Sequence, residues 1–125
     1  MSTVRMFVNG QAMRGGSLHP ALEGAEFLGA VETAPRYRFL SFGDFPGLRP
    51  VTDGGARIAG ELFAVDYATL RERLLPGEPP ELEFSVIELA DGSGSCSMVV
   101  RRGETGGTDI TAHGSWDAAR AAGAV

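Results

Sequence analysis

Between Val4 and Arg101 the chain divides into six short apolar stretches rich in β-branched and aromatic residues, each ended by glycine, proline or an Asp-Gly pair. Stretches this short make strands rather than helices. They place strands at Val4–Val8, Glu26–Thr33, Tyr37–Phe42, Arg57–Val65, Glu81–Leu89 and Ser95–Arg101, with Asp91-Gly92 as the hairpin connection between the last two. Gly29 and Gly60 fall inside strand patterns, where glycine marks a bulge or a close backbone approach, so the sheet is expected to curl towards a barrel. Val4–Val8 and Arg57–Val65 are apolar on nearly both faces and should lie at its centre. The expected fold class is α+β, a small mixed β-barrel with short helices, formed by residues 1–125 as a single domain.

The clearest helical spacing runs from Tyr67 to Leu75, where Leu70, Leu74 and Leu75 make one apolar face, Asp66 is the N-cap and Pro76 the stop. A shorter helix is expected over Leu18–Glu23, capped by Ser17 and tolerating Pro20 in its first turn. Another is expected over Ala118–Val125. Gly103 to Thr108 reads as a flexible loop.

Charge narrows the function classes. The net charge of −5 argues against nucleic-acid or anionic-membrane partners, which need clustered cations. All 11 basic residues are arginine, so a G-x-x-x-x-G-K phosphate loop, a Schiff base and a Ser-Lys nucleophile are excluded. Cys96 is the one cysteine, leaving no disulfide or thiolate cluster, and the amino terminus lacks the pattern of a secretory leader. These features point to a reducing, cytoplasmic setting.

Candidate chemistry begins where the first strand meets Asn9-Gly10-Gln11-Ala12-Met13. Gly10 lets the backbone turn where a Cβ would clash, leaving amide N–H groups free for a small carbonyl or anionic group, unless the loop is simply a turn. Glu61 is a strand carboxylate among apolar neighbours: either an inward-pointing group with a role in the chemistry, or a partner of an arginine such as Arg57 or Arg38. His19, with Glu23 a helical turn later, is half a metal site or a pocket wall; zinc needs at least three protein ligands, so no metal or other cofactor is expected. His113 and Trp116 read as structural, Trp116 as a core plug.

Several blocks together, Phe7-Val8-Asn9-Gly10, Ala25 to Ala30, Thr33 to Arg38, Phe45-Pro46-Gly47-Leu48 and Gly60 to Phe63, resemble the γ-glutamylcyclotransferase-like superfamily. Val86 to Gly92 and Asp109 to Trp116 are similar to the C-terminal domain of allophanate hydrolases, which shares that fold. The resemblance implies that the first-loop amides hold substrate and that a glutamate from a later loop is the base. Alignment past the Leu70–Leu75 helix points to Glu78, with Glu81 as the rival because Pro79-Pro80 loosens the register.

The chain departs from both patterns. The cyclotransferase loop reads Tyr-Gly-Ser/Thr-Leu, whereas here Asn9 and Gln11 supply two carboxamides suited to a urea-like or carbamate-like ligand. The allophanate hydrolase domains lack the glutamate and carry histidine where this chain has Ala12. Those domains follow a Ser-Ser-Lys amidase domain, which a lysine-free chain does not contain. Three readings stand: a small-molecule enzyme of urea or allophanate-type nitrogen metabolism, with Asn9, Gly10, Gln11, Ala12, Met13, His19 and Glu61 as binding candidates and Glu78 or Glu81 as base; a γ-glutamyl cyclotransferase releasing 5-oxoproline; or a non-catalytic module for an amidase partner.

Overall fold

The computed structural model describes residues 2–125. Eight strands form one mixed sheet: β1 (Thr3–Val8), β2 (Glu26–Glu32), β3 (Tyr37–Ser41), β4 (Pro46–Pro50), β5 (Ala59–Asp66), β6 (Leu82–Glu88), β7 (Gly94–Val100) and β8 (Thr108–Asp109). Their order is β2-β5-β1-β7-β4-β3-β8, with β6 paired to β7 off this path. β1 runs antiparallel to β5 and parallel to β7, and β4 is also parallel to β7. Three strands therefore pair with β7, which splits the sheet around it. The sheet curls into a half-barrel. At one end it is tied across by the Thr33–Leu89 bridge, with Ala34 N–H donating to Glu88 O (3.0 Å) and Ala90 N–H to Glu32 O (2.9 Å).

The interior glycines explain how the sheet bends. Gly29 adopts φ +135° at a register shift in β2, a backbone open to glycine and strained for other residues. Gly60 lies against the Phe7 ring, where an added Cβ would come within 2.7 Å of Cε1. Met6, Phe7 and Val8 are all buried, consistent with β1 being covered on both faces, while β5 buries Leu62, Phe63 and Val65. In amide hydrogen exchange, the β1–β5 ladder is expected to be the most protected part of the sheet; exchange there as fast as at the short strand β8 would contradict this architecture.

Strand β4 was not expected from the sequence. Pro46-Gly47-Leu48-Arg49-Pro50 reads as a turn, yet its prolines sit at the two ends of the strand, where a missing N–H is tolerated. Gly47 fits beneath Leu82 and Val100, whose methyl groups would lie 2.7 and 2.8 Å from an added Cβ.

The helices are shorter and less regular than their sequence patterns. Asp66 does cap helix α1 (Tyr67–Thr69), accepting from Thr69 N–H at 2.8 Å. The chain then widens into a π turn (Leu70–Leu74) and ends in a 3₁₀ turn (Leu75–Gly77). Pro76 has no N–H to continue an α-helix and its ring crowds the carbonyl four residues back. Leu70 and Leu74 still reach the core. The expected Leu18–Glu23 helix is a 3₁₀ turn (His19–Leu22) without a side-chain cap; Ser17 instead donates its N–H to Gln11 Oε1 (3.3 Å). The last helix, α2 (Trp116–Ala121), starts earlier than expected because Ser115 Oγ accepts from Ala118 N–H (3.1 Å), and it is followed by Gly123 at φ +71°. No helix among the described residues is long and apolar enough to cross a membrane.

Candidate active site

The C-terminal end of β1 opens into a cavity of about 40 Å³. That is room for a few water molecules or the reacting end of a small ligand. Met6, Phe7, Val8, Asn9, Gly10 and Ala12 line one side; Phe45, Pro46, Glu78, Leu82, Ser97 and Met98 close the rest. The irregular helix matters here, because its 3₁₀ turn ends at Gly77 and the next residue brings a carboxyl to the cavity.

The backbone N–H of Glu78 donates to Leu75 O (3.1 Å), but its carboxyl has no hydrogen-bond or ion-pair partner among the described residues, and no arginine or histidine lines the cavity. Burial without compensation favours the neutral acid, and the Glu78 carboxyl is pushed up from 4.5 to about 7. Asn9 Nδ2 is buried and also unpartnered. An orphaned donor and an uncompensated carboxyl lining one cavity are groups that a bound polar ligand would satisfy.

Next to them the backbone supplies further donors. The N–H groups of Gly10, Gln11 and Ala12 meet no acceptor among the described residues. Gly10 has an ordinary negative φ; what requires glycine is Pro46, whose ring atoms an added Cβ would strike. The same contact holds the β3–β4 turn over the cavity mouth, where Phe45 stacks on Phe42 with ring centroids 5.2 Å apart. Ser97 does not add a free hydroxyl, since its Oγ donates to Phe7 O at 3.0 Å.

The other residues singled out in the sequence lie elsewhere. Gln11 spends its carboxamide on the scaffold: Nε2 donates to Asp44 O (3.2 Å), and Oε1 accepts from Ser17. Of the two carboxamides expected at the ligand, only Asn9 faces the cavity. Met13 belongs to the hydrophobic core. Glu61 pairs with neither Arg57 nor Arg38 but with Arg14, accepting from its N–H (2.8 Å) and from Nε (3.1 Å). It thereby anchors the far end of the loop. Glu81 does not line the cavity; its backbone carbonyl accepts from Arg101 N–H (2.7 Å). His19 stands in a separate open groove with Arg14, Phe27 and Phe63. In the C-terminal motif, Asp109 Oδ1 accepts from Thr111 N–H, and Thr111 Oγ1 accepts from Phe39 N–H, fixing β8 beside β3. Sequence reasoning did not assign Met6, Phe7, Val8, Phe45, Pro46, Leu82, Ser97 or Met98 to the site; of these, Leu82, Ser97 and Met98 could have been found only from a strand-pairing pattern linking β6 and β7 to β1.

A half-barrel of mixed strands with this cavity at the end of its first strand defines a γ-glutamylcyclotransferase-like protein. The model of the allophanate hydrolase C-terminal domain matches residues 4–121, and the chain belongs to that family. A Vibrio cholerae protein named "Putative gamma-glutamylcyclotransferase" is 34% identical over 89 residues, covering 70% of this chain and 75% of that protein. The crystal structure of a uropathogenic E. coli-specific protein superposes with a TM-score of 0.87 at 33% identity, covering 100% of this chain and 99% of the other. Kluyveromyces lactis allophanate hydrolase matches with a TM-score of 0.86 at 27% identity over 98% of this chain. The match spans only 22% of that enzyme.

Proposed function

We propose that the chain is an enzyme acting on a small amide-bearing substrate, with Glu78 as general base and the Asn9–Ala12 loop as the cradle for the reacting carbonyl. The observation that carries this reading is the shared cavity of an unpaired, half-buried carboxyl and an orphaned Asn9 Nδ2. A base works best when its pKa is near the working pH, which is where burial moves Glu78. The amide loop supplies neutral donors that steady an oxyanion without reorganising.

Among amide reactions, γ-glutamyl cyclisation suits these parts best. The substrate's α-amine attacks its own side-chain carbonyl, and Glu78 takes the proton released from nitrogen. The C–N bond to the leaving amine then breaks, and Glu78 returns the proton to that amine, giving 5-oxoproline and a free amine. Likeness to the Vibrio cholerae protein supports this choice. A carbamate substrate is the second reading, favoured by the family match and by the Asn9 carboxamide in place of an aromatic residue.

The test offers γ-glutamyl dipeptides and allophanate to wild type, Glu78→Gln and Glu81→Gln, and follows 5-oxoproline, ammonia and carbon dioxide. The expected result is turnover of one substrate class by wild type and Glu81→Gln, with loss in Glu78→Gln. No product from a well-folded wild type would reject the catalytic reading for these substrates and favour the accessory module.

A further inference from the structure

Three successive carbonyls of the cradle loop are held by donors: Gly10 O by Met13 N–H (3.1 Å), Gln11 O by Leu18 N–H (2.9 Å) and Ala12 O by His19 Nδ1 (2.9 Å). Because each peptide is trans and planar, pinning a carbonyl also fixes the N–H on its opposite side. Two of the three pins are backbone groups. His19 is the only side chain among them, and it sits outside the cavity, with its ring against Phe63 at a centroid distance of 5.6 Å and a tilt of 50°. Phe63 is itself buried in β5, so the imidazole has a fixed backing.

A carbonyl oxygen can only accept, so the contact requires a proton on Nδ1 and, in the neutral ring, leaves Nε2 as the acceptor facing the groove. Near the loop's other anchor, Glu61 holds Arg14 N–H, and Gly16 passes so close to the Gln11 carbonyl that a Cβ there would strike it. The Ala12–Met13 peptide is held on one side by Met13 N–H donating to Gly10 O and on the other by the His19 side chain. We infer that His19 is a positioning residue for the candidate active site: through its Nδ1–H bond to Ala12 O it fixes the Ala12–Met13 peptide, whose own N–H holds Gly10 O and thereby sets the free Gln11 amide of the cradle loop. The inference rests on the proposed function for its effect on turnover, but not for its effect on the loop.

The test uses the full ¹⁵N-labelled chain with γ-glutamyl-alanine as the activity probe. His19→Phe keeps a ring against Phe63 and removes the donor; His19→Asn keeps an N–H donor near the position of Nδ1. Ring nitrogen shifts of the wild type at alkaline pH should report the Nδ1–H tautomer. His19→Phe should displace the Gln11, Ala12 and Met13 amide resonances, melt near the wild-type temperature and lose roughly 10–100-fold in turnover, carried by kcat rather than KM. His19→Asn should bring both the resonances and kcat back to within about threefold of wild type, if one N–H donor is the group that matters. An Nε2–H tautomer, unchanged loop amides in His19→Phe, or a folded His19→Asn that recovers nothing would each overturn the inference. If wild type does not turn over the dipeptide, the proposed function fails for that substrate, while the tautomer and loop resonances still decide the role of His19.

Discussion

Glu78→Gln is expected to lose about two to four orders of magnitude in turnover and, at pH 8, to be more stable than the wild type by about 1–3 kcal/mol. The two effects have one cause. In the folded chain burial raises the carboxyl from 4.5 to about 7, so the native state holds its proton more tightly than the unfolded state. The stability this proton contributes is fully present below pH 4.5 and is lost as pH rises through about 7. Above that pH the wild type keeps a desolvated, unpaired charge, which the neutral glutamine removes. The full linkage value of such a shift is about 3 kcal/mol, and a carboxamide left with few partners offsets part of it. Near pH 4 the two proteins should unfold at nearly the same denaturant concentration, which chemical denaturation at both pH values would check. Equal stability at pH 8 would mean that Glu78 is not held in an uncompensated site.

The second large effect concerns a residue that does not line the cavity. Trp116 is 2% exposed at the start of α2, where Ser115 caps the helix and Gly114 O accepts from Ala59 N–H (2.8 Å), tying this corner to β5. Trp116→Ala should cost about 3–5 kcal/mol, the usual range for emptying a large aromatic site. A domain of this kind has about 5–15 kcal/mol in total, so thermal unfolding should occur at a much lower temperature. Its indole fluorescence should be blue-shifted in the native wild type and shift red on unfolding. A native-like melting curve for the variant would place the ring at the surface.

The sequence made the strands legible because their apolar runs are short and sharply punctuated. Gly60 and Gly29 even announced where the sheet bends, one through a close approach and one through a positive φ. β4 escaped because its two prolines and Gly47 imitate a turn. Its identity as a strand depends on Val99, which pairs with Leu48 from a distant part of the chain, as well as on the neighbouring β3, where Leu40 pairs with Gly47. The Tyr67–Leu75 pattern was helical in its apolar spacing, but spacing does not tell an α turn from a π turn when proline follows.

The candidate site divides along the same line. Asn9, Gly10 and Ala12 follow directly from a strand ending in a glycine loop, and the family resemblance picked out the region of Glu78. Which loop side chains turn inwards was not legible. Gln11 is drawn away by Asp44 and Ser17, Glu61 is claimed by Arg14, and His19 reaches Ala12 from outside the cavity. Each of these choices is made by a long-range neighbour or by the loop's own return path, neither of which a local pattern contains.

In the free protein an uncompensated glutamate, Glu78, shares its cavity with Asn9, Gly10 and Ala12. Carbon-13 titration of the Glu78 side-chain carboxyl measures this without any assumption about substrate. The expected midpoint is near 7, and no added salt should bring it down to the ordinary carboxylate value, because burial rather than a neighbouring charge sets it. A midpoint near 4.5 would show a solvated or paired carboxylate and contradict both the general-base assignment and the site built around it.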